Sequence, residues 1–507
     1  MTASPSSLPP SQRLSFATKV LYGMGSVTFG VTILALSATV LQPYLNRVIG
    51  LPAIWVGTAI MLTLMLDAVI DPLMGQFSDR LRTRWGRRHP LMYLSAPLVA
   101  VFCIAFWNTP ASWPIEKSGP FLIAMMVLLR LATSLYEVPS QALAPELTSD
   151  YNQRTSLFSY RLFFTVIGGL GMNVVLYQVF LSPAAGGILN RAGYAKYGVV
   201  AAVVMASTIL ISAAGTHGRI PYLAQPTRRQ VPFRQVVKEM AATLSNPSLV
   251  AVMVSGLCSG IAAGMNGGLS QYFYVELWGL SSKAISWIVA AGGLASLTGV
   301  ALAAPASNLF GKKAAMIGLF TASVCADTLP QLGRLLGLMP PNSSPWVQII
   351  LVGDMFVSAS LAITGFIIVS SMIADVVEDA AVKTGVRSEG LLFAANGLLP
   401  KVTSGIGVFL AGLIITLAHF PAKAAPGTVS PEIMRHMSLL YLPLATAMKA
   451  LSIFVLIYYR IDKQTHENNL AILAQGAAIA DIEAAPLSGP AAGAAAGLGL
   501  DAQAPRV

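Results

Sequence analysis

Asp67 and Asp71 stand four residues apart inside an apolar run over 53–75. At about 1.5 Å per residue that run crosses the roughly 30 Å hydrocarbon core of a bilayer. The i, i+4 spacing puts both carboxylates on one helix face, one turn apart. Acids at membrane depth are costly and face a protein interior or a watered cavity. Two of them in one low-dielectric cavity repel each other, so the pair calls for a proton or for a hard cation such as Na⁺, which prefers oxygen ligands. A structural salt bridge to Lys401 is the competing account. Lys401 suits both, because it can neutralise the acids once a cation leaves. A short basic loop follows at 78–90, with Asp79, Arg80, Arg84, Arg87 and Arg88. An acid pair in the membrane beside a basic turn is the pattern expected of a cation-coupled transporter.

Arg130 and Glu137 are seven residues apart and share a face of a later apolar run; Gln141 extends that face by a turn and Tyr136 lies beside it. A carboxylate and an amide together can accept from and donate to hydroxyls, as a sugar site requires. The alternative is an ion pair that merely positions the helix. Arg161 falls at the mouth of the next run, and Phe366 is either a stacking platform for a sugar ring or plain apolar lining. The charges over 79–88 read as a gate or inter-helix latch, competing with orientation by positive charge. Asp375, Glu378, Asp379, Lys383 and Arg387 form the matching cluster later in the chain. Asp327, Asp354 and Lys449 stand alone in apolar runs and are expected to pair structurally.

These residues need a frame to hold them. Of 507 residues 55% are hydrophobic and only 10% charged, against about 25% charged in a soluble domain. The pattern is an all-α integral membrane protein of twelve spans: 19–45, 53–77, 90–107, 120–143, 160–181, 197–214, 248–276, 282–309, 314–333, 346–377, 389–419 and 437–459. A cytoplasmic N-terminal tail over 1–18 precedes a six-helix bundle over 19–214. A basic linker over 215–247 leads to a second bundle over 248–460, and an Ala/Gly/Pro-rich tail over 461–507 has no packing pattern and reads as disordered. Lys and Arg crowd alternate connections: five in the second-to-third loop, then Arg219, Arg228, Arg229, Arg234 and Lys238 in the linker, then Lys312 and Lys313. That bias puts both termini in the cytoplasm. Gly86-Arg87-Arg88 after the second span is echoed faintly by Gly311-Lys312-Lys313 after the eighth.

The net charge of +11 has no basic stripe with interleaved aromatics, which excludes nucleic acid as a partner. Cys103, Cys258 and Cys325 show no metal-ligand spacing. The polar start has no small-residue cleavage site near the first run, so that run is expected to remain as a span. The partners expected are a small-molecule substrate and the lipid bilayer, with a monomer sufficient for function.

Three segments carry a family resemblance. Asp67 to Gly75 followed by Trp85-Gly86-Arg87-Arg88-His89-Pro90, the stretch Glu137 to Thr148 with Arg154 and Arg161, and Ser371 to Asp379 with Gly385, Arg387 and Lys401 resemble the glycoside–pentoside–hexuronide:cation symporters. The resemblance runs from about Tyr22 to Tyr459. It implies the major facilitator fold, two six-helix bundles rocking about a central site, in a bacterial inner membrane. It also implies a cation site at Asp67 and Asp71 contacted by Lys401, and a sugar site at Glu137 and Arg161. No cofactor is implied beyond a coupling ion, H⁺ or Na⁺, which would be the only metal at Asp67 and Asp71. The chain departs from the melibiose-type members at Phe29 and Gly30, where they carry Lys-Asp, at Ile70, where they carry an asparagine, and at Gln141, where they carry a tryptophan. Loss of an oxygen ligand at Ile70 favours H⁺ over Na⁺.

The leading expectation is therefore cation-coupled symport of a sugar or glycoside by alternating access. The alternatives are an amphiphile or lysolipid carrier of the same fold, and an integral-membrane transferase. Against the transferase, His89, His217, His419, His436 and His466 are scattered in or beside loops with no cluster.

Overall fold

A computed structural model describes residues 14–148, 150–223, 247–384, 397–459 and Asn468. Most of the basic linker, including Arg228, Arg229, Arg234 and Lys238, lies outside the described residues. So do Gly385, Arg387 and the tail apart from Asn468. All regular structure among the described residues is helical.

The first predicted span is broken into α1 (Phe16–Met24), α2 (Ser26–Ala35) and α3 (Ala38–Pro43), ending in a wide π-helical turn over Tyr44–Ile49. Ser15 starts α1 by accepting from the Thr18 amide at 3.1 Å, an N-cap that satisfies a free donor. Only glycine fits at the junction of α1 and α2: a Cβ on Gly25 would fall 1.6 Å from Tyr136 Oη. Then follow α4 (Ala53–Arg80), α5 (His89–Trp107), α6 (Ile115–Leu147), α7 (Tyr151–Val174) and α8 (Arg191–His217). Beyond the linker come α9 (Pro247–Tyr272) with a π-helical turn over Phe273–Leu277, α10 (Ser282–Phe310), α11 (Lys312–Leu335), α12 (Pro345–Thr384), α13 (Leu399–Leu417) and α14 (Pro431–Val455).

Eleven helices among the described residues are long and apolar enough to cross a membrane. The ninth predicted span, α11, has 24 residues but is not among them; it carries Lys312, Lys313, Asp327 and Arg334. Trp55, Trp287 and Leu309 point outward at 67%, 57% and 76% exposure, as lipid-facing side chains do.

Helices α5 to α8 pack with α1 and α2, and α9 to α14 pack among themselves. The two sets meet where α4 lies on α13, α7 on α10 and α3 on α9. Lipid offers no hydrophobic drive between helices, so close approach depends on small residues. On α13, a Cβ at Gly412 would lie 2.6 Å from the Ala53 carbonyl of α4, and one at Gly407 would lie 2.2 Å from the Ile261 carbonyl of α9. Glycines thus let α13 wedge between the two halves.

Candidate functional site

Asp67 and Asp71 take different partners. Asp67 is 3% exposed and faces α6, where Arg130 Nη1 donates to its Oδ2 at 3.3 Å. Arg130 also donates to the Leu36 carbonyl at 2.9 Å, at the break between α2 and α3. Asp71, one turn on, is bonded by Lys401 of α13, while its Oδ1 is enclosed without a partner among the described residues. Arg130, grouped by sequence with Glu137, therefore belongs to the acid pair. Lys401 neutralises one acid, across the meeting of the two halves.

Glu137 and Gln141 are joined as their spacing requires, Gln141 Nε2 donating to Glu137 Oε1 at 3.0 Å. Glu137 opens onto a narrow cavity lined also by Thr28, Phe29, Thr32, Thr133 and Arg161. Arg161 of α7 donates to Tyr22 Oη at 3.0 Å and to Ser140 Oγ at 3.2 Å, and Tyr22 in turn donates to the Ser140 carbonyl at 2.9 Å. Tyr136 is buried against Gly25 and borders the same cavity. The place where melibiose-type members have an aspartate is closed: a Cβ at Gly30 would lie 2.1 Å from the Thr165 carbonyl of α7. The helix backbone occupies the space an acid would need. Phe366 is set apart from this cavity, its ring edge-to-face with Phe320 at 5.4 Å.

The basic loop is tied down within the first half. Arg88 is 3% exposed and reaches Asp79 at 2.5 Å, Ser78 Oγ at 2.8 Å and Glu146 of α6 at 2.8 Å, with Arg87 on Glu146 at 3.0 Å. Arg84 stacks over Trp85 at 5.6 Å, and Arg80 is exposed. In the second half Lys312 bonds Asp375 at 2.7 and 2.8 Å. The faint Gly-basic-basic echo has a structural counterpart. Gly86 and Gly311 take positive φ of 72° and 75°, and the basic residues after each bind an acid near the cytoplasmic-side end predicted for a later span. His89, just after the first motif, and Lys313, the third residue of the second, each reach toward the end of the last helix of their own half. His89 meets Thr216 at 3.0 Å, and Lys313 meets the Tyr459 carbonyl at 2.8 Å.

At the opposite end a different pair joins the halves. Arg47 Nη2 lies 2.5 Å from Glu276 Oε1, with the side chains 0% and 1% exposed. Arg47 also donates to the Ala424 carbonyl at 2.9 Å, and Glu276 Oε2 accepts from the Gly427 amide at 3.0 Å. Arg47 falls between the first two predicted spans and Glu276 at the end of the seventh, and the sequence alone assigns a role to neither. Glu146 and Tyr22 had been singled out only as members of motifs, without roles.

The sequence profile of the family described as MFS/sugar transport protein matches residues 21–463. An uncharacterized symporter of Synechocystis sp. is 27% identical, over 83% of this chain and 89% of its own. The isoprimeverose transporter of Lactiplantibacillus pentosus is 22% identical over 85% of each chain. The lactose permease of Leuconostoc lactis is 24% identical over 82% of this chain and 63% of its own. Among solved structures, a D-xylose–proton symporter superposes with a TM-score of 0.61 at 16% identity, over 88% of this chain and 98% of that one. A nucleoside transporter does so with a TM-score of 0.62 at 12% identity, over 88% and 99%. These structural matches establish the fold alone. The chain is thus a multi-pass membrane transporter, not an enzyme, and it belongs to the MFS/sugar transport protein family.

Proposed function

We propose that the protein is a cation-coupled sugar symporter of a bacterial inner membrane, working by alternating access. The observation that carries the mechanism is the pair of ion pairs on α4, Asp67 with Arg130 and Asp71 with Lys401, the second of them crossing the halves. A cation entering at Asp71 competes with Lys401 for the carboxylate. It thereby loosens α4 from α13 and lets the bundles rock. Asp67 and Arg130 connect the same event to the α2–α3 break, at the end of the helix whose Thr28, Phe29 and Thr32 line the substrate cavity.

The substrate reading rests on the hydroxyl- and carboxylate-lined cavity around Glu137 and Arg161, which suits a glycoside or sugar. The relatives named for isoprimeverose and lactose support it. Counting α11 as a span gives twelve, with both ends cytoplasmic, because its two flanking lysines anchor one end and Asp327 pairs with Lys449 inside the bundle. Linkage requires that sugar tighten cation binding by the same factor that the cation tightens sugar.

Uptake of labelled glycosides into proteoliposomes under imposed H⁺ or Na⁺ gradients tests this. Accumulation of a sugar under one gradient identifies the coupling ion. Transport of a lysolipid with no sugar movement rejects the reading.

A further inference from the structure

A second polar cavity lies within the α9–α14 bundle, walled by Asn266 of α9, Asp327 and Gln331 of α11, Asp354 of α12 and Tyr441 of α14, with Tyr274 beside them. One of its acids is compensated: Lys449 bonds Asp327, and Asn266 Nδ2 donates to the same carboxylate at 3.4 Å. The other is not. Among the described residues Asp354 has no ion pair and no hydrogen bond, although it lies within a helix apolar enough to cross a membrane, nine residues after its first residue, Pro345.

Two further polar groups at this cavity are unsatisfied. Gln331 Oε1 is enclosed without a hydrogen-bond partner among the described residues, and the hydroxyl of Tyr441, a side chain 4% exposed, makes no hydrogen bond among them. A buried polar atom without a partner is costly, and an uncompensated carboxylate within an apolar helix is more so. One enclosed unpaired acceptor, one free hydroxyl and one uncompensated carboxylate on the same cavity call for an occupant. Two carboxylates facing one ammonium leave a single negative charge, and the groups left free offer oxygen atoms. Hard monovalent cations prefer that donor set.

We propose that this cavity is a second cation site, taking one proton or one Na⁺ on Asp354, Tyr441 and Gln331, with Asp327 and Lys449 setting its charge. The site is built from second-half helices alone, so it fills without the bundles closing on each other. It is separate from Asp67 and Asp71, and it assigns the charges on α11, α12 and α14 a role beyond pairing. The groups facing Asp354 are Asp327 on α11, Lys449 and Tyr441 on α14, and Tyr274 after α9. Asp354→Asn makes the cluster neutral and breaks no ion pair, so the variant is expected to fold.

The test uses the full chain in lipid nanodiscs without sugar, in two arms. One counts bound ²²Na⁺ at equilibrium. The other counts protonated carboxyl groups by infrared difference spectroscopy in Na⁺-free buffer. Asp354→Asn is expected to lose one equivalent in one of the arms, and that arm names the ion. Tyr441→Phe is expected to weaken the same equivalent about tenfold, the loss of one hydrogen bond. If Asp354→Asn does not fold, Tyr441→Phe decides alone. A wild-type count and affinity in both arms for the variants that fold overturns the proposal. Asp71→Asn serves as the reference, because its failure to remove a separate equivalent counts against the symport mechanism and leaves the second site standing.

Discussion

Arg47 and Glu276 meet at 2.5 Å in full burial, each in a π-helical turn that ends a predicted first span of its half. Such turns are rare and recur at functional sites. The pair is reinforced by the Ala424 carbonyl and the Gly427 amide, so three segments converge on one charge pair. The described ion pairs at the basic end, Arg88 with Glu146 and Lys312 with Asp375, stay within their halves. Arg47 and Glu276 thus join the halves at the end away from the basic turns.

Removing one member of this latch leaves a buried charge unpaired, which costs about 3–5 kcal/mol. Arg47→Ala is expected to lower the melting temperature in detergent and to abolish uptake. The double variant Arg47→Met with Glu276→Leu is expected to recover stability but not transport, since it seals the end permanently. Melting curves and initial uptake rates check both. Full uptake by the double variant would show that opening at this end does not depend on the charge pair.

Asp71→Asn is expected to leave the protein folded and in the membrane while abolishing uphill accumulation, with exchange of sugar at equal concentrations retained. Lys401→Ala leaves Asp71 without its partner and is expected to impair both. Gradient-driven accumulation at the wild-type level in Asp71→Asn would sink the coupling assignment.

Glu137→Gln and Arg161→Lys are expected to raise the KM for sugar about tenfold or more, the cost of one or two substrate hydrogen bonds. The maximal rate should change less. Glu137→Gln also keeps the hydrogen bond with Gln141, so loss of folding is not the anticipated result. An unchanged KM places the sugar elsewhere.

Gly30→Asp, although it restores the residue type of melibiose-type members, is expected to fail to fold, because its Cβ meets the Thr165 carbonyl at 2.1 Å. Gly30→Ala should fail for the same reason. Expression and monodispersity in detergent decide. A well-behaved Gly30→Ala would mean that α2 and α7 separate more easily than their packing implies.

The membrane class, the family and most helix positions could be read from the chain, because a span is a local property: about 20 apolar residues bounded by polar ones. α11 forms as a 24-residue helix where a span is expected, but its charges keep it out of the set apolar enough to cross a membrane. Asp67 and Asp71 stood out because an acid in an apolar run has no local reason to be there. Glu137 with Gln141 followed from helical spacing alone. Which cation serves which acid did not follow, since Arg130 lies 63 residues from Asp67 and Lys401 lies 330 from Asp71. The same holds for Arg47 with Glu276, where each residue looked like an ordinary loop or helix-end charge, and for Gly30, whose small size answers to the backbone of α7. Composition and periodicity determined what must enter the bilayer. Only the packing of one helix against another decided how each buried charge was compensated, because burial and ion pairing depend on neighbours that sequence distance does not encode.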